Sequence, residues 1–175
     1  MPIKNIMRTK LYPLTPEFLL EDWTADHRRW SCYRHWGVQC CVPGCNRVGT
    51  HVLHWYSPGD FKKYGDSGLG EHIDLIGHEN GSEFLMTVDH VIPKSYGGPK
   101  IWWNLQPMCA THNNNQKNRM VHLPSRPQLE LIAFNSSITV PTYLPDREFY
   151  DYIAQQYRDR QTGYPKGKGR GKKVA

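Results

Sequence analysis

The chain has 175 residues, of which 38% are hydrophobic and 12% aromatic, with a formal net charge of +6. This length sets one domain with a modest core, and the composition excludes a fibrous or wholly disordered chain. No run approaches the roughly 18 apolar residues of a membrane span, and five cysteines (Cys32, Cys40, Cys41, Cys45, Cys109) without framework spacing argue against a disulfide-stapled secreted scaffold.

With no apolar signal segment at the N-terminus, a reducing, intracellular and cytoplasmic setting is expected. Thr15-Pro16-Glu17 followed by Phe18, Leu19, Leu20, Trp23 and Trp30 predicts an N-capped helix with proline at its first position, running to about Arg29. Residues 46–83 read as a long spacer. Its turn-rich stretches at Ser57–Asp60 and Gly65–Gly70 separate an apolar run at Val52–Tyr56 from a strand over Glu83–Ile92. Leu129–Val140 reads as a further strand, and Asp146–Arg158 as a helix with Phe149, Ile153 and Tyr157 on one stripe.

Charge is unevenly placed. Residues 158–175 hold seven basic side chains (Arg158, Arg160, Lys166, Lys168, Arg170, Lys172, Lys173) against Asp159, which leaves 15 basic and 15 acidic residues in the first 157. The Gly-rich composition of that end cannot bury enough surface to fold. It is either a solubilising end or a sequence-independent phosphate tether.

The densest chemistry lies between Thr87 and Lys117: Thr-Val-Asp89-His90-Val-Ile-Pro-Lys94-Ser-Tyr-Gly97-Gly98, Lys100, then Trp-Trp-Asn104-Leu-Gln-Pro-Met-Cys109-Ala-Thr-His112-Asn113 and Lys117. This run resembles the HNH (ββα-metal) endonuclease motif, in the zinc-containing subgroup, and is similar to small free-standing phage or mobile-element enzymes. The likeness extends back to Cys41-Val-Pro-Gly-Cys45. It implies an α+β fold: a ββα-metal core stabilised by a zinc knuckle over residues 38–121, within one domain spanning 1–160 and flanked by N- and C-terminal helices. A disordered basic tail, 161–175, follows.

Two metal sites of different chemistry follow from the residue types. Cys41, Cys45, Cys109 and His112 offer three thiolates and an imidazole, the donors that tetrahedral structural Zn²⁺ prefers, although Cys40 can stand in for Cys41. Asp89 and Asn113 offer the oxygen ligands of a hard ion, Mg²⁺ or Mn²⁺. On one helix His112 and Asn113 are about 100° apart, so one can face zinc and the other the opposing strand. Lys117, one turn on, shares the Asn113 face.

His90 is the candidate general base, since an imidazole can take a proton from water near neutral pH. Strand alternation sends Asp89 and His90 to opposite faces, so both serve one site only if the backbone departs from regular pleating there, with Pro93 ending the strand nearby. The resemblance gives Asn104 the task of holding the loop that carries His90. Gly97-Gly98 lets that loop turn sharply.

The implied reaction is hydrolysis of a phosphodiester in DNA, with one catalytic metal offsetting charge on the departing 3′ oxygen and products carrying 5′-phosphate and 3′-hydroxyl. Double-stranded DNA is the expected partner, in a monomer or a homodimer. Lys94, Lys100, Lys117, Arg119 and the tail cations Lys166, Lys168, Arg170, Lys172 and Lys173 are candidate DNA contacts. The competing reading is a zinc-stabilised nucleic-acid-binding module without catalysis. His51, His54, His72 and His78 match no strong ligand spacing, and Trp102-Trp103 beside a turn read as core.

Overall fold

The computed structural model describes residues 7–20, 27–64, 72–116 and 123–162. Five strands, β1 (Met7–Pro13), β2 (His51–Tyr56), β3 (His72–Glu79), β4 (Ser82–His90) and β5 (Leu105–Cys109), form one sheet in the order β1-β2-β3-β4-β5. All four pairings are antiparallel. The described residues also form six α-helices: α1 (Pro16–Leu20), α2 (His27–Trp36), α3 (Pro58–Tyr64), α4 (Ala110–Gln116), α5 (Arg126–Asn135) and α6 (Asp146–Thr162). The architecture is α+β, as expected.

The spacer supplies two of these strands. Asn80 and Gly81, with φ of 51° and 73°, close the β3–β4 hairpin where Glu79 pairs with Ser82. Two consecutive left-handed residues give a turn whose twist matches that of the strands, and Asn-Gly is the dipeptide best suited to it.

At the N-terminus the Thr15 hydroxyl accepts a hydrogen bond from the Phe18 backbone N–H at 3.2 Å, the cap that the sequence predicts. Of the predicted helix to Arg29, Pro16–Leu20 is α1 and 27–29 begin α2, while 21–26 lie outside the described residues. A correction concerns 129–140: α5 replaces the predicted strand. Leu129, Ile132 and Ala133 are buried at helical spacing, and Pro127 sits in the first turn, where a missing N–H does no harm. Helix α6 starts at the predicted residue and runs on to Thr162; residues 163–175, and with them the tail cations, lie outside the described residues.

Two cores result. Trp30 and Tyr33 of α2 pack on Val52, Leu75, Met86 and Cys109 of the sheet. The other core joins Leu129, Ile132, Phe149 and Ile153 of α5 and α6 to Val91, Ile92 and Trp103 in the segment between β4 and β5. Each such aliphatic or aromatic side chain contributes about 1.5–3 kcal/mol when fully buried. The segment that follows His90 is therefore clamped between the sheet and two helices. Trp103 is buried there, and Trp102 stacks on His35 at 3.9 Å between centroids.

Candidate metal centre and catalytic strand

Strand β4 carries Asp89 and helix α4 carries Asn113, the two candidate oxygen ligands. The Asn113 amide nitrogen donates to Thr87 Oγ1 at 2.9 Å and to the Val88 carbonyl at 3.3 Å, while the Thr87 hydroxyl donates to the Met108 carbonyl at 2.8 Å. This fixes the Asn113 amide against β4 and leaves its carbonyl oxygen as the available ligand atom. Asp89 is two residues on from Thr87, on the same face of the strand and about 6.6 Å along it. A carboxylate and an amide oxygen brought to one face fit a hard divalent ion.

His90 ends the strand. The departure from pleating that would bring Asp89 and His90 to one face is absent: Asp89 pairs with Gln106 and His90 with Leu105 in unbroken register. The reason is the support beyond it, since Val91 N–H donates to the Asn104 carbonyl at 2.9 Å and carries the pairing one residue past His90. The two side chains therefore leave β4 on opposite faces. His90 Nε2 is buried without a hydrogen-bond partner. Burial holds the imidazole below its ordinary pKa, Asp89 opposes that, and Lys100 and Lys94 reinforce it. Both lysines are exposed, and both are close enough to act on His90.

The loop after His90 is held by Asn104, which is fully buried. Its side-chain oxygen accepts from Ile92 N–H at 2.9 Å, and its nitrogen donates to the carbonyls of Ile92 at 3.2 Å and Pro99 at 3.0 Å. Gly98 packs so closely beneath that a Cβ there would stand 1.8 Å from the Ile92 carbonyl oxygen, and Gly97 turns the chain with φ of 85°. Both glycines are thus required by geometry.

On the other side of α4, Cys40, Cys45, Cys109 and His112 bring their ligand atoms within 4.8 Å of one another, the only such group among the described residues. His112 Nδ1 stands 3.5 Å from Cys40 Sγ and 3.4 Å from Cys109 Sγ. Tetrahedral zinc, with Zn–S of about 2.3 Å and Zn–N of about 2.05 Å, sets sulfur and nitrogen about 3.5 Å apart, so the group fits zinc. The knuckle is a turn closed by Cys45 N–H to the Val42 carbonyl at 3.0 Å, with Gly44 at φ of 78° and Pro43 before it.

Cys40, rather than Cys41, belongs to the group. Cys40 N–H donates to Arg47 O, and Gln39 bridges Val48, so the chain runs extended here and successive side chains diverge. Cys41 N–H turns instead to the Pro107 carbonyl of the edge strand β5 at 3.0 Å. Burial pushes the Cys40 thiol up to about 11 and raises that of Cys41 as well. At Cys109 burial also pushes upward, but hydrogen bonds from the His112 backbone, Arg47 and Cys40 outweigh it and the thiol is held below its usual range. None of the five cysteines is in a disulfide.

Residues 77–119 match the family model of the HNH endonuclease. The matched segment runs from the end of β3 through α4 and excludes Cys40 and Cys45. No curated protein and no solved structure matches the chain. Among the described residues no helix is long and apolar enough to cross a membrane.

Lys117 and Arg119 lie outside the described residues. Three contributors escape sequence reasoning. Thr87 sits two residues before Asp89, and period-two alternation alone would flag it. Arg47 reaches Cys109 Sγ at 3.7 Å and Thr111 Oγ1 at 2.7 Å, and is anchored by Glu79 at 2.7 Å. Gln106, opposite Asp89, is 6% exposed with its amide oxygen buried and partnerless. The last two depend on chain register, for which the sequence carries no local signal.

Proposed function

We propose that the protein is a metal-dependent endonuclease that hydrolyses phosphodiester bonds in double-stranded DNA, leaving 5′-phosphate and 3′-hydroxyl ends. The observation that carries this reading is the HNH match over 77–119, which contains Asp89, His90, Asn104 and Asn113 together. In this reading β4, β5 and α4 are the ββα core, and one divalent cation, Mg²⁺ or Mn²⁺, held by Asp89 and Asn113, supplies positive charge at the departing oxygen. His90 takes the proton of the attacking water through Nε2, which burial keeps neutral at physiological pH. Asn104 is a positioning residue that fixes the loop behind His90. Zinc on Cys40, Cys45, Cys109 and His112 is structural. Lys94, Lys100, Lys117, Arg119 and the tail cations Lys166, Lys168, Arg170, Lys172 and Lys173 hold phosphates.

One observation favours a second reading, a zinc-stabilised nucleic-acid-binding module without catalysis: the regular pleat that separates Asp89 from His90. Plasmid cutting by the zinc-loaded protein with and without added Mg²⁺ separates the two. Mg²⁺-dependent nicking or linearisation supports the nuclease, and DNA binding with no cutting supports the module.

A further inference from the structure

We propose that the cleft beside Asp89 takes one unpaired nucleobase of the DNA substrate, read by the amide of Gln106. The identity of the strand rests on the nuclease reading above; the chemistry of the cleft does not. The cleft is open, with a volume of about 310 Å³, and its walls include Trp36, Gln39, Gln106, Pro107, Leu123 and Gln128. That is the lower end of small-molecule sites, the size class of a base rather than of a duplex segment.

Among the described residues no Lys or Arg lines this cleft, and Cys40 and Cys41 complete its wall on the zinc side, so it offers no cation to a phosphate. An indole, a leucine and prolines offer flat apolar surface, and base faces stack on such walls whatever their sequence. Side-chain amides pair donor and acceptor as a base edge does. Gln128 is already committed, donating to the Leu105 carbonyl at 2.8 Å. Gln106 is not: it is 6% exposed, and its Oε1 is buried with no partner. A buried amide atom of this kind is satisfied only by an incoming donor, or by rotation of the amide to meet an acceptor. The hydroxyl of Ser125, at the start of α5 in the same wall, also makes no capping hydrogen bond.

Position links the cleft to the reaction. Gln106 is the direct cross-strand partner of Asp89, and the two side chains share one face of the sheet. A base held by Gln106 therefore belongs to the nucleotide adjoining the phosphate at Asp89. In a duplex that base is stacked and its pairing edge occupied, so it must be extruded first, whereas an already unpaired base enters without that cost.

The test uses full-length, zinc-loaded protein without Mg²⁺ and two labelled duplexes of one sequence, one fully paired and one with a single bulged base. The wild type is expected to bind the bulged duplex about tenfold more tightly, within the range that one bidentate amide contact discriminates. In Gln106→Met the ratio falls towards one with the melting temperature unchanged or raised, since the substitution removes a buried partnerless oxygen. Should that variant melt lower, a second measurement on the wild type decides. 2-Aminopurine as the bulged base is expected to change emission on binding, and 2-aminopurine at a paired position is not.

Equal affinity for the two duplexes, a preference that survives in a stable Gln106→Met, or an unchanged emission at the bulge overturns the proposal. Adding Mg²⁺ to the same samples separates the two readings. Bulge preference without cutting sinks the nuclease and keeps the cleft, and cutting without preference does the reverse.

Discussion

Helix α4 contributes to two groups of candidate ligands that are assembled to different degrees. On the zinc side, four donors from two separate segments of the chain lie within 4.8 Å of one another, with sulfur–nitrogen separations already suited to the metal. On the other side Asn113 is fixed to β4, but Asp89 and His90 leave that strand on opposite faces. A structural metal is bound as part of folding, so its ligands must converge in the resting fold. A reaction site needs only to complete its geometry around substrate, and apo hydrogen bonds at such sites are often loose. His112 and Asn113, adjacent in sequence, belong one to each regime.

The largest expected effect tests the zinc side. Cys109→Ser or Cys45→Ser should abolish cooperative unfolding, because structural zinc in small domains contributes about 10–16 kcal/mol. Metal analysis of the wild type should find about one zinc per chain. Cys41→Ser should keep that zinc and shift stability by less than about 1 kcal/mol, reversing the assignment that sequence spacing suggests. A zinc-free Cys109→Ser protein with unchanged melting would remove the distinction between the two sides.

Next comes the reaction side. His90→Ala should lower the cutting rate by roughly 10²–10⁴-fold, the usual contribution of a general base, while melting and DNA binding stay close to wild type. Because burial and the two lysines hold the imidazole low, the neutral base form is complete at lower pH than for a free histidine. Wild-type cutting should therefore rise with pH and level off at a lower pH than a free imidazole would dictate. A rate still climbing well above that would point to another group.

Asp89→Ala and Asn113→Ala should raise the Mg²⁺ concentration for half-maximal cutting by at least the 10–100-fold that losing even an outer contact of a metal costs. Neither should release zinc. Unchanged Mg²⁺ titrations in both would exclude them as ligands.

The smallest of these effects concerns the support that holds His90. Asn104→Ala leaves the Ile92 N–H and the Ile92 and Pro99 carbonyls without their side-chain partner. It should destabilise by about 2 kcal/mol or more, which for this size of domain lowers the melting temperature by roughly 4–8 °C. Stability equal to wild type would mean that the loop is held by its packing in the core of α5 and α6 alone.

What the sequence disclosed divides along the same line. Short-range chemistry was legible: the Thr15 cap, the order Asp89-His90…Asn104…Asn113, the His112/Asn113 split on one helix, and the amphipathic stripe of α6. Some local signals were present but outweighed, as at 129–140, where Leu129, Ile132 and Ala133 repeat at helical spacing within an apolar run, and at Asn80-Gly81, which marks a hairpin inside an otherwise featureless spacer. The rest depends on long-range register. Whether Cys40 or Cys41 faces His112 is decided by which backbone N–H meets Arg47 and which meets Pro107, and Gln106 gains its place only because β5 pairs with β4 opposite Asp89.

The central claim, that one face of α4 holds a folding metal while the other completes a phosphodiester-cutting site, is tested most directly by plasmid cutting with zinc-loaded wild type and His90→Ala, each with and without Mg²⁺, alongside zinc content and melting temperature. Equal zinc and closely similar melting are expected in both proteins, with Mg²⁺-dependent cutting by the wild type and a rate at least about 10²-fold lower in His90→Ala. Cutting by His90→Ala at the wild-type rate, or no Mg²⁺-dependent cutting by a fully zinc-loaded wild type, would contradict that claim.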